Sequence, residues 1–139
     1  MRATLVLVAL LMARPVAADY SAAAQSDFAR GQAAMATRDW ETAMGHLTAA
    51  IEAEPAFWEA HKALGECFLR LNKPKEARKH LEEASRLSPS DPGVKDTLRR
   101  AIDLEKAHAA DDELAERIRQ QIRSKSSPAP GKTGHSSET

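Results

Sequence analysis

Apolar residues in this chain recur three and four apart, the rhythm of helices with one buried face, and not in the alternation of strands. Phe28, Gly31, Ala34 and Met35 predict a first helix from about Ser21 to Thr37. After an Arg38-Asp39 turn, Trp40, Ala43, Met44, Leu47, Ala50 and Ile51 mark a second, which Asp39 caps and Pro55 stops. Ala60, Leu64, Cys67, Phe68 and Leu71 give a third from about Phe57 to Leu71. Asn72-Lys73-Pro74 turns into a fourth carrying Ala77, Leu81, Ala84 and Leu87, with Pro74 suited to its first turn. Ser88 to Pro92 supplies a stop, a cap and a new start.

The pattern repeats at a constant offset of thirty-four residues: Gly31 with Gly65, Ala43 with Ala77, Leu47 with Leu81, Ala50 with Ala84, Pro55 with Pro89. That is the period of a helix–turn–helix unit that stacks on copies of itself. On these residues, with Leu64 and Phe68 in the second copy, the chain resembles the tetratricopeptide repeat family. The copies run over residues 24–57 and 58–91, and the first departs at Arg30 and Ala34, where the family has Leu and an aromatic. The resemblance implies an all-α fold, a short right-handed superhelix of two tetratricopeptide hairpins plus a C-terminal capping helix. Gly31 and Gly65 are expected to let the helices approach by facing Ala43 and Ala77, with Leu47 and Leu81 filling the space between hairpins. Two such units are fewer than stability usually needs, so residues 92–123 are expected to cap them. Val94, Leu98, Ala101 and Ile102 would pack inward there; the segment either remains one long helix or, the favoured reading, breaks or bends near Ala109 to Asp112 before a last stripe of Leu114, Ala115, Ile118 and Ile122.

The chain ends differ in kind. Residues 1–18 have a basic start, an apolar run over Ala3–Ala13 and a Val16-Ala17-Ala18 ending, the layout of a signal peptide cleaved before Asp19. The run is short for a bilayer span, so a periplasmic or secreted protein is expected, the alternative being an uncleaved anchor facing the periplasm. Without Arg2 and Arg14 the remainder carries two more acidic than basic residues and no basic patch, which gives nucleic acid nothing to bind. Residues 124–139 are Ser, Pro, Gly and Lys rich and are expected to be disordered.

Chemistry is sparse. Cys67 is the only cysteine, at a position where a small residue must pack, so an internal disulfide is excluded. His46 and His80 fall at one repeat position, on the outer face of the second helix of each hairpin and too far apart to share a metal; His61 is expected to pack as a ring. No nucleophile with its base and orienting group appears, so no catalytic residue, metal or cofactor is assigned.

Surface remains. In the family the first helix of each hairpin lines a concave groove for peptides. The resemblance assigns that role to Phe28, Gln32, Met35, Lys62, Glu66, Leu69, Arg70 and Arg100, while Phe28 and Gln32 stand where a carboxylate clamp would need Lys and Asn. The reading is an exported adaptor that binds a protein or peptide and catalyses nothing. The alternative is an accessory or assembly subunit of an envelope complex, docked through the solenoid end or the C-terminal helix. Homo-oligomerisation is left open.

Overall fold

The computed structural model describes residues 20–126; the expected leader, residues 1–18, and residues 127–139 of the expected tail lie outside the described residues. Among the described residues the chain is all-α, with helices α1 (Ala22–Ala36), α2 (Trp40–Ala53), α3 (Trp58–Arg70), α4 (Pro74–Leu87) and α5 (Pro92–Ser126). It divides into two compact units, one ending at Ile102 and the other beginning at Asp103.

The first unit contains both hairpins, α1 with α2 and α3 with α4, and the beginning of α5. Local chemistry sets each boundary. The Ser21 hydroxyl accepts from the Ala24 N–H at 3.2 Å, the Asp39 carboxylate from Thr42 at 3.1 Å and the Asp91 carboxylate from Val94 at 2.7 Å. Hydrogen bonds from Thr42, side chain first and then backbone, hold the Asp39 carboxyl below the usual carboxylate range. Pro74 opens α4, where its missing N–H costs nothing.

Both hairpins turn alike. Arg38 and Asn72 occupy the left-handed region, with φ of 62° and 58°. The Asp39 N–H donates back to Ala34 and that of Arg38 to Met35; Lys73 donates to Phe68 and Asn72 to Leu69. Each is the paired closure that satisfies the last carbonyls of a helix while reversing the chain.

The core follows from small residues beside leucines. A Cβ placed on Gly31 would lie 2.8 Å from Leu47 Cγ, and one on Gly65 would lie 2.6 Å from Leu81 Cγ. The glycines therefore open a notch for the leucine of their own hairpin; Gly31 also faces Ala43 as expected, its Cβ position 3.4 Å from that carbonyl oxygen, whereas the atoms nearest Gly65 belong to Leu81 and not to Ala77. Leu47 also joins a cluster with Ala63, Leu64 and Cys67, so one side chain fills the glycine notch and seals the seam between hairpins. Ala77, Leu81 and Ala101, with Phe68, Leu69 and Leu98 against them, form the corresponding cluster under the start of α5. Phe57, next to the α3 start and buried, is stacked by Tyr20 at 3.9 Å and approached by Phe28 at 4.8 Å. Nothing in the helical spacing marks Phe57 as core; it clusters with Ala24 and Phe28 of α1, Ala50 and Ile51 of α2, and Tyr20 ahead of α1.

Two expectations for the C-terminal segment are corrected. No break occurs near Ala109 to Asp112: α5 runs unbroken for 35 residues. Between Gly93 and Pro128 the sequence has neither Gly nor Pro, and Ala107, Ala109 and Ala110 are strong helix formers, so nothing stops the hydrogen-bond ladder. The helix also takes in Ser124, Lys125 and Ser126, three residues expected to be disordered, with the Ser124 and Ser126 hydroxyls donating to the carbonyls of Gln121 and Arg123.

Candidate functional site

The first helix of each hairpin presents one face to a groove of about 600 Å³. Six of the eight residues assigned from sequence line it: Phe28, Gln32, Met35, Lys62, Glu66 and Arg70. The other two, Leu69 and Arg100, lie with Glu66 and Arg70 around a smaller adjoining recess, so the eight form a continuous surface through that shared pair. Leu69 does two things at once, since it is half-buried against Ala77, Leu81 and Ala101 while bordering the recess.

Trp40 and Trp58 also line the groove, and sequence reasoning did not place them there. Trp40 opens α2 as the first residue of its predicted apolar stripe, and Trp58 opens α3 outside the stripe predicted there. The available signal was their chemistry: a half-exposed Trp pair beside charged residues is the composition of a binding surface.

The groove thus combines apolar and charged side chains. Phe28, Met35, Trp40 and Trp58 are its large apolar residues, while Glu59, Lys62, Glu66 and Arg70 line it from one face of α3 with alternating charge. Arg70 is exposed and also borders a further recess with Met35, Arg38 and Trp40, so it is shared by all three depressions. Tyr20 holds one of the lining carboxylates: its hydroxyl donates to Glu59 at 3.2 Å, and burial, then Glu59, push the phenol up to about 12. The phenol is therefore a neutral hydrogen-bond donor at any physiological pH.

Cys67 is fully buried, and burial, helped by Glu66, pushes its thiol up to about 11. Such a thiol stays protonated and packs as a small apolar group. His80 departs from the outer-face expectation. It stacks on Phe68 with centroids 5.5 Å apart, and its Nδ1 lies 3.5 Å from Nδ1 of the buried His61. Since His61 Nε2 faces the Pro55 carbonyl at 3.0 Å, it carries the proton and His61 Nδ1 accepts from His80. Among the described residues no cluster of three or more His, Cys, Asp or Glu is arranged to hold a metal ion.

Residues 28–92 match the tetratricopeptide repeat family. Solved structures agree in fold. The UNC-45 chaperone matches with a TM-score of 0.62 at 24% identity, over 72% of this chain and 11% of that one. The first TPR of Spaghetti (RPAP3), solved bound to the HSP90 peptide SRMEEVD, matches with 0.57 at 22% identity, over 67% of this chain and 70% of that one. A chain of the APC/C hetero-tetramer Cut9–Hcn1 matches with 0.57 at 21% identity, over 68% of this chain and 18% of that one. This chain therefore spans only a small part of the first and third. The search of curated proteins found no match. Residues 28–92 carry tetratricopeptide repeats, and the solved structures share their helical fold.

Proposed function

We propose that this chain is an exported adaptor that holds a short segment of a partner protein in the groove between α1 and α3, without catalysis of its own. The observation that carries the reading is the groove, lined by two tryptophans, Phe28 and Met35 together with alternating acidic and basic side chains of α3. Aromatic and Arg anchors in a concavity provide most of the energy of peptide recognition, and charges at the rim set orientation. Spaghetti's first TPR, a domain of the same fold, was solved with a peptide bound, which supports this use of the architecture. Export rests on the sequence of residues 1–18; among the described residues no helix is long and apolar enough to cross a membrane.

Photo-crosslinking from Gln32, an exposed groove residue, tests the reading in envelope extract. The reading requires a partner band that Arg70→Ala weakens by roughly tenfold, about 1–2 kcal/mol, while the melting temperature holds. A band indifferent to Arg70→Ala and Trp58→Ala would place the partner elsewhere. N-terminal sequencing tests export separately: the protein should begin at Asp19, and an intact Met1 in the membrane fraction would make it an anchored protein.

A further inference from the structure

Beyond Ile102, α5 carries three large apolar side chains in the open: Leu114 is 56% exposed, Ile118 48% and Ile122 63%. At about 100° per residue, steps of four keep all three within about 40° of one line on the helix. Asp111 and Lys125 fall on the same line, seven residues before and seven after Ile118. The stripe therefore reads, along one face, acid, Leu, Ile, Ile, base, and it is symmetric in size and antisymmetric in charge about Ile118. Arg117 and Arg119 point well off this line, and Arg119 is matched within its own helix by Glu116 at 3.1 Å.

We propose that this stripe pairs antiparallel with the same stripe of a second copy of the chain, on a two-fold axis at Ile118. In that register Leu114 packs on Ile122 of the second copy, Ile118 on Ile118, and Asp111 meets Lys125 at both ends. The same-patch contact is the rule for two-fold dimers. The charges decide the direction: a parallel pair would set Asp111 against Asp111 and Lys125 against Lys125. They also fix the register, because a slip of one turn in either direction leaves one apolar side chain opposite a charge. With three apolar side chains from each copy the seam is small, so the dimer forms in proportion to concentration.

Sedimentation equilibrium on the protein purified as the cell processes it tests this. The mass should rise from monomer toward dimer as concentration increases, and Ile118→Glu should hold it at monomer. Asp111→Lys should weaken association by about tenfold, since two attractions become two repulsions. Adding Lys125→Asp to that variant should restore it, which a merely destabilising change would not allow. Direction is read by disulfide crosslinking, from which the buried Cys67 stays out. Leu114→Cys mixed with Ile122→Cys should crosslink, while neither should link to itself. A monomer at every concentration, failure of the charge exchange to restore dimer, or self-linking of Leu114→Cys would each overturn the proposal.

Discussion

In the first hairpin Asp27 meets His46 across the helix pair, with Oδ1 and Nδ1 3.6 Å apart; in the second the same two repeat positions hold His61 and His80, with Nδ1 atoms 3.5 Å apart. The backbone contact is shared and the chemistry is not. Asp27 and His46 are partly open to water and can meet as an ion pair, whereas His61 is buried and hydrogen-bonds ring to ring with His80, the two rings tilted by 30° and His80 stacked on Phe68. Burial explains the difference. Among the described residues α1 buries only Ala24 and Gly31, while α3, between α2 and α4, buries Ala60, His61, Ala63, Leu64, Gly65 and Cys67. In a stacked array each unit's core is completed by its neighbours, so one position tolerates charge at the end of the stack and requires neutrality inside it.

The leucines offer the severest test of that comparison. Leu47 and Leu81 are both fully buried in the notch of a glycine. Leu47→Ala and Leu81→Ala should each lower stability by about 2–5 kcal/mol in urea unfolding. A loss below about 1 kcal/mol at either site would mean that the hairpins are not built alike.

The glycines give the next largest effect. Gly65→Ala gains about 1 kcal/mol of helix propensity but forces a contact at 2.6 Å on a leucine with no room to move, which costs about 1–3 kcal/mol. The expected net result is a modest loss, slightly smaller at Gly31, where the gap is 2.8 Å. In a Leu81→Ala background the sign should reverse, because the new methyl enters vacated space. Persistent destabilisation there would show that the glycine serves something other than the leucine.

Acid separates the hairpins by chemistry. Burial, then His61 and Lys79, hold the His80 imidazole below its ordinary 6.5. The folded chain therefore resists a proton that the unfolded chain accepts. Its stabilising contribution is complete above pH 6.5 and is lost progressively as pH falls below that value. His80→Gln should flatten the decline between neutral and mildly acid pH in a thermal melting series. An unchanged slope would show that the ring pair does not report protonation.

Sequence made some of this legible and hid the rest for physical reasons. The thirty-four-residue offset, the caps at Asp39 and Asp91 and Pro74 at its helix start were visible because they depend on neighbours in the chain. Six of eight groove residues fell on one groove because they follow from the helix face. The His61–His80 contact was hidden because it joins two helices, and a search within helices at three or four residues cannot find it. Its trace was present all the same: Asp27 to His46 and His61 to His80 have the same separation at the repeat offset. Trp40 was read only as part of the inward stripe of α2, and Trp58 opens α3 outside the stripe predicted there, so neither was assigned to the groove. The unbroken α5 was missed because Asp111 reads equally well as a cap or as an interior residue.

The smallest effect is the most discriminating for the turns. Arg38 and Asn72 adopt the same left-handed conformation at equivalent positions, with φ of 62° and 58°. The conformation brings Cβ close to the following carbonyl oxygen, which costs most side chains about 1–2 kcal/mol; Asn tolerates it and Gly is free of it. Arg38→Gly should therefore stabilise the chain by about 0.5–1 kcal/mol, after part of the relief is offset by the freer unfolded chain. Asn72→Gly should change it by no more than a few tenths. For a domain of this size the first corresponds to a rise of about 2–8 °C in melting temperature, and the second lies near the error of the measurement. Arg38 is exposed and its side chain contributes nothing to the core, so the gain isolates the backbone term. Equal responses at the two sites would mean that Asn72 carries the same strain as Arg38 and that the second turn is no better adapted than the first.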